Sequence, residues 1–205
     1  MKIAILGWGS LLWDNHLCFD EQHRKWLPKG PGLKLEFSRV SLSRENALTL
    51  VIDPVNGSLC NVAYSFSNRS NPDDAICDLR SREGTVLNKI GFCFANGAIK
   101  QSFDSNSFES IQVWATGKKI DVVVWTDLQN NFKDKSIYNE MFSVENAVKH
   151  IQALSPKGKA KAAEYVWRAP SFISTPLRSV LQGEPWFHNI EKASEKNSNS
   201  PGACL

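Results

Sequence analysis

The stretch Ile3-Ala4-Ile5-Leu6-Gly7-Trp8-Gly9-Ser10-Leu11-Leu12-Trp13 decides how this chain is read. A short apolar run that stops at a glycine reads as a buried strand. Gly7 and Gly9, one residue apart, let the backbone turn sharply and come close to something bulky. A loop of that kind presents consecutive backbone N–H groups, which can hold a carboxylate or a developing oxyanion. Two nucleotide-binding readings fail at once. A dinucleotide fingerprint needs a third glycine where Leu12 stands, and a P-loop needs Gly-Lys-Ser/Thr. The plain alternative is a strand that ends in a glycine turn and does nothing more.

A second segment, Asn71 to Gly84, reads as a helix with both ends marked. Asn71 can cap it, Pro72 fits the first helical position, and Asp73 and Asp74 suit the positive end of the dipole. Gly84 can close it in the left-handed conformation. At a helical turn of about 100° per residue, Ile76 and Glu83 fall within roughly 20° of each other, with Leu79 on the same stripe. Glu83 therefore points where the apolar side chains point. Burial raises a carboxylate's pKa, as a general base working near neutral pH requires. The alternatives are a salt bridge to Arg80 or Arg82, or a last-turn glutamate that bends out to water.

Together these segments resemble the γ-glutamylcyclotransferase-like superfamily, whose first strand ends in Tyr-Gly-Ser-Leu and whose Glu-Gly pair comes after a short helix. The counterparts here are Trp8-Gly9-Ser10-Leu11 and Glu83-Gly84. The wording Gly7-Trp8-Gly9-Ser10-Leu11-Leu12-Trp13 is most similar to the glutathione-degrading branch. Leu35-Glu36-Phe37-Ser38-Arg39, Leu48 to Pro54 and Val124 to Leu128 look like segments of uncharacterised bacterial relatives. The resemblance covers residues 1–130 well and the rest loosely.

The resemblance implies an enzyme acting on a small-molecule substrate with a γ-glutamyl group and a free α-amine. The amine attacks the side-chain amide carbonyl, a five-membered ring closes, and 5-oxoproline and the amine beyond it are released. Glu83 would take the proton from the attacking nitrogen and return it to the leaving one. Gly7, Trp8, Gly9, Ser10 and Leu11 would form the substrate-binding loop, with backbone N–H groups of Gly9, Ser10 and Leu11 facing the substrate. No cofactor and no metal are implied. Intramolecular attack already has a high effective concentration, so one base and a few donors can suffice. A binding module with the same pocket but no turnover is the alternative. This chain departs from the family at two places: Trp8 replaces a tyrosine, and Ile90 and Phe92 stand where many members carry another tyrosine. Both changes imply a less polar pocket.

Composition bounds the rest. The 205 residues suit one domain, predicted over 1–190, with a polar Ser/Asn-rich tail over 191–205 that reads as disordered. Twenty-four basic and 21 acidic residues leave a net charge of +3, which argues against a dedicated nucleic-acid binder. Five cysteines without metal-type spacing predict reduced thiols and a cytoplasmic protein. No stretch is apolar enough for a membrane span. Oligomeric state is left open.

The expected architecture is α+β: a curved mixed sheet or small β-barrel flanked by helices, with the first strand central. Strands are predicted at 34–40, 47–53, 60–66, 86–95, 110–115 and 119–126. Helices are predicted from Ser143, from Pro156 to Arg168, and from Thr175 to Gly183. The helices over 143–168 should pack outside, and the loop and Glu83 should face one cavity. Weaker candidates are a metal site from Asp14, His16 and His23, and a basic face of Lys149, Lys157, Lys159, Lys161 and Arg168. Ser10 as a hydrolase nucleophile lacks a Gly-x-Ser-x-Gly elbow and a histidine partner. Arg44 and Glu45, in a predicted hairpin loop, could line a pocket mouth.

Overall fold

The computed structural model describes residues 1–97 and 100–190, so the expected tail over 191–205 lies outside the described residues. The strands are β1 (Ile3–Gly7), β2 (Gly32–Ser41), β3 (Ala47–Ile52), β4 (Ser58–Asn61), β5 (Ala63–Phe66), β6 (Ile90–Phe94), β7 (Lys100–Gln101) and β8 (Val122–Thr126). The helices are α1 (Leu17–Asp20), α2 (Pro72–Glu83), α3 (Ser105–Gly117), α4 (Phe132–Lys135), α5 (Val144–Ala153), α6 (Pro156–Arg168) and α7 (Pro176–Gly183). Among the described residues no helix is long and apolar enough to cross a membrane.

The N-terminal run reads as continuous apolar residues because β1 is covered on both faces. Ile3 and Ile5 pack with Val122 and Val124 of β8 against Ala75, Ile76 and Leu79 of α2. Ala4 and Leu6, pointing the other way, join Val123 and Trp125 in the larger core with Phe37 of β2 and Ile111 of α3. Trp125 and Phe37 are wholly buried, each removal from water contributing roughly 1.5–3 kcal/mol. A one-residue slip of β1 would exchange these two sets, so its register is strongly specified.

Five strands form a mixed sheet in the order β5-β1-β8-β6-β7. β1 runs parallel to β8 (Ile3 opposite Val122, Ile5 opposite Val124) and antiparallel to β5. The first strand is thus interior, while β8 holds the middle place. A second sheet has the order β3-β2-β4. The predicted 60–66 strand is split at Val62: β4 pairs with β2, and β5 with β1. This corner links the two sheets, but among the described residues no ladder joins their other ends, β3 and β7. The small barrel is therefore not formed; the α+β class and the mixed sheet are.

The predicted strand at 110–115 is instead part of α3. Ile111 and Val113 alternate with polar residues over too short a window to reveal the period. The helical stripe is Phe108, Ile111 and Ala115, all buried, whereas Val113 lies exposed. Asp104 caps this helix by accepting the Ser107 N–H at 2.8 Å. The later helices start where capping residues mark them. Ser143, Ser155 and Thr175 each accept a backbone N–H in the first turn, and caps of this kind contribute about 1 kcal/mol each. α6 packs on β3 and α7 on β2, outside the second sheet.

One buried polar link ties α5 to the turn between β2 and β3. His150 of α5 accepts the Ile137 N–H on Nδ1 at 3.2 Å, which assigns its proton to Nε2, 2.9 Å from the Asn46 carbonyl. Burial lowers its pKa from the ordinary 6.5. The unfolded chain takes up this proton as pH falls through its ordinary value, whereas the folded histidine resists until a lower pH. Stability should therefore fall as pH drops below about 6.5. Thermal unfolding of the wild type and His150→Gln between about pH 7.5 and 5.5 tests this. The wild type should lose more of its Tm across that interval than the variant does; equal losses would remove His150 as the titrating group.

Candidate active site

The two parallel strands β1 and β8 end side by side, and the segments beyond their ends open onto one cavity of about 300 Å³. From β1 come Trp8, Ser10 and Leu11; from β8 come Thr126 and, just beyond, Leu128. Arg39 of β2, Arg44 after it, Thr49 to Val51 of β3, Ser81 to Gly84, and Tyr165 of α6 complete the wall. The loop and Glu83, distant in sequence, thus face the same space.

Glu83 is the last residue of α2, and the helix stops there for a legible reason. Gly84 has φ 57° in the left-handed region; its N–H donates to the Ser81 carbonyl, and the Thr85 N–H to that of Arg80, a Schellman closure. Asn71 caps the other end by accepting the Asp73 N–H at 3.1 Å. The Glu83 side chain is half-buried and has neither an ion pair nor a hydrogen bond among the described residues. Burial pushes its carboxyl above the ordinary 4.5, opposed by the charges of Arg82 and Arg44 and assisted by Asp14. Its place at a helix C-terminus, the negative end of the dipole, disfavours ionisation further.

Arg82, expected as a possible partner of Glu83, faces elsewhere. It donates to the Asp14 carbonyl at 3.0 Å and lies 3.7 Å from the Asp14 carboxylate. That carboxylate also accepts from Arg44 at 2.7 Å, and the Arg44 guanidinium lies over the rings of Trp13 and Tyr165. Asp14 therefore moderates two of the three arginines on the cavity wall. Among the described residues no group of three candidate metal ligands is found. Of the basic helical face, Lys149 pairs with Glu145, Lys157 with Glu45, and Lys161 and Arg168 with Glu164, whereas Lys159 has no ion pair among the described residues.

After β1 the chain enters a short 3₁₀ turn, Gly9–Leu12. The first N–H groups of such a turn have no partner within it. The Ser10 N–H is directed at the Tyr165 hydroxyl, 3.4 Å away. The Trp8 indole lines the cavity, while its N–H donates to the Leu50 carbonyl at 3.2 Å and so pins the loop to β3. Gly7 and Gly9 do not line the cavity. A side chain at Gly7 would meet the Trp26 ring, so this glycine serves packing. Gly9 has φ 60°, and a Cβ there would overlap the Tyr165 hydroxyl.

Tyr165, Arg39 and Thr126 are the residues that sequence reasoning did not single out. Tyr165 sits on the buried stripe of α6 with Ala162 and Val166, where it reads as ordinary core. The Thr126 hydroxyl is buried and has no hydrogen-bond partner among the described residues. Only its position at a strand end hinted at exposure to a site.

No protein-family model matches the chain, and no curated protein matches it.

The close fit of Gly9 beneath Tyr165 is open to test. Gly9→Ala should cost about 1–3 kcal/mol, from left-handed strain and from the overlap. Combining it with Tyr165→Phe removes the obstructing oxygen and should recover part of that loss. Urea unfolding of both single variants and the double variant measures the coupling. Strictly additive losses would mean that the two residues do not press on each other.

Proposed function

We propose that the cavity binds a compound carrying a γ-glutamyl group and cyclises it, in the manner of the γ-glutamylcyclotransferase-like superfamily. The observation that carries this reading is Glu83: a half-buried, unpartnered carboxylate with a raised pKa, on the wall of a cavity shared with the loop after β1. A structural glutamate would be paired by one of the nearby arginines.

Each wall of the cavity has its own task. Ser10 and Leu11, the residues of the 3₁₀ turn that line the cavity, hold the glutamyl end. Arg44 and Arg82, moderated by Asp14, supply positive potential for a carboxylate. Glu83 accepts a proton from the α-nitrogen, whose lone pair attacks the amide carbon; the ring closes, and the same proton passes to the departing nitrogen. The products are 5-oxoproline and a free amine, with no atom gained or lost. The tyrosine hydroxyl that the family carries on its loop is absent at Trp8, and the Tyr165 hydroxyl, beside the Ser10 N–H, supplies a comparable polar group from α6. The reducing, cytoplasmic setting expected from the cysteine count belongs to the same proposal.

Incubation with γ-glutamyl compounds while 5-oxoproline is measured tests the reading directly. Glu83→Gln keeps the shape but removes the base, so turnover should fall about a hundredfold or more while binding survives. Ser10→Ala should be milder. The wild-type rate should fall on the acid side as pH drops through the raised Glu83 pKa, because the ionised form is the working base. Binding without 5-oxoproline in the wild type would favour a non-catalytic binding module. Abolition by Ser10→Ala alone would return Ser10 to the role of nucleophile.

A further inference from the structure

Two polar side chains on the cavity wall have no partner among the described residues: the Glu83 carboxylate and the Thr126 hydroxyl. The other polar side chains there are engaged within the protein, Arg39 by the Gln129 carbonyl, Thr49 by the Arg39 carbonyl, Arg44 and Arg82 by Asp14, and Tyr165 by Ser10. The register of β8 shows how the two unpartnered groups come to the same place. Val122 and Val124 pack against Ala75, Ile76 and Leu79 of α2, and alternation puts Thr126, two residues further on, at the same sheet face. That is the face along which α2 runs to its last residue, Glu83. Opposite Thr126 on β6 stands Ile90, which offers no polar side chain. The hydroxyl and the carboxylate line one space and form no hydrogen bond with each other.

A buried hydroxyl without a partner is destabilising, and a valine of the same outline carries no such cost. Positions 122, 123 and 124 of this strand are all valine, and the chain turns to threonine only where the strand reaches the cavity. Thr126 is 8 % exposed, so bulk water does not satisfy it either. The two free groups are complementary in kind. An ionised carboxylate only accepts, whereas a hydroxyl can also donate. Ring closure makes two such demands at the reacting atoms: an acceptor for the proton of the attacking nitrogen, and a donor for the amide oxygen on which negative charge builds. Glu83 meets the first. With Ser10 and Leu11 given to the glutamyl end and Arg44 and Arg82 to its carboxylate, the second has no other group assigned to it.

We infer that Thr126 is a catalytic residue, its hydroxyl donating to the oxygen of the scissile amide as that oxygen becomes negative. This rests on the cyclisation reading above. The nitrogen lone pair forms the new C–N bond while the carbonyl π pair moves onto oxygen, where the hydroxyl meets it. The pair then returns, the bond to the leaving nitrogen breaks, and that nitrogen takes the proton held by Glu83. Thr126 keeps its own proton throughout. A donor placed for the charged oxygen favours the transition state over the bound substrate, so its removal acts on kcat and not on KM.

Release of 5-oxoproline from γ-glutamylalanine is measured in the wild type, Thr126→Val and Thr126→Ser. In Thr126→Val, kcat should fall about a hundredfold while KM stays within about threefold. Thr126→Ser keeps the hydroxyl and should recover at least about tenfold of that loss. The Tm of Thr126→Val should be no lower than that of the wild type, because the change removes an unpartnered buried group. An unchanged kcat in Thr126→Val, or a loss confined to KM, would overturn the assignment and leave cyclisation standing. A serine variant as slow as the valine one would assign the effect to shape and overturn it too. A lowered Tm would show that the hydroxyl has a partner in the folded chain, with the same consequence. Absence of 5-oxoproline in the wild type, with binding of γ-glutamylalanine seen by calorimetry, would remove cyclisation itself and this role with it.

Discussion

β1 is enclosed on both faces and on both edges, and the site depends on that enclosure. Its flanks are β5 and β8, its two faces are the α2 layer and the core beneath the second sheet. Such a strand has no freedom of register or depth, because every shift exposes isoleucine or buries it against the wrong layer. The parallel pairing with β8 then has a geometric consequence: parallel strands end on the same side. The loop after Gly7 and the residues around Thr126 are delivered to one place, and α2, lying across β1 and β8, brings its C-terminus to the same cavity.

That placement explains an electrostatic arrangement that would be unstable elsewhere. Glu83 sits at the unfavourable end of a helix dipole, half-buried and unpaired, with Arg44 and Arg82 near enough to ease its charge but bound to Asp14. The carboxyl is therefore not locked into an ion pair. Tyr165 adds a second buried titratable group, and burial raises its pKa as well. Its hydroxyl is positioned by the Ser10 N–H and by the bare Cα of Gly9, so a residue on α6 and a residue on β1's loop fit only together. The stretch from Gly9 to Trp13 is thereby clamped between α6, through Tyr165, and β3, through the Trp8 indole.

Much of this was written locally. The boundaries of α2 follow from Asn71, Pro72 and Gly84, each acting within a turn of its own position, and the inward bearing of Glu83 follows from helical periodicity. The caps at Ser143, Ser155 and Thr175 announce the C-terminal helices in the same way. Where the reading failed, the deciding information was not local. Ile111 and Val113 alternate like a strand, and only the partners available to Phe108, Ile111 and Ala115 on β2, β6 and β8 make the helix the better solution. The run through Val62 is one apolar segment in sequence but belongs to two sheets, because β2 and β1 compete for its two halves. No barrel closes because, among the described residues, no ladder joins β3 and β7 at the other ends of the two sheets.

The sequence by itself determined the buried first strand, its glycine loop, the capped helix that ends at Glu83, and the presence of both α and β layers. Each of these rests on interactions within a few residues or on a simple period. The tertiary structure alone decided which side chains complete the cavity. Arg39, Thr126 and Tyr165 come from a bulged strand, a strand end and a helix face that share no spacing, and they converge only because two sheets and α6 pack around β1. It also decided that Asp14, and not Glu83, takes the arginines. Partner choice among charges depends on distances in space, and no pattern along the chain encodes them.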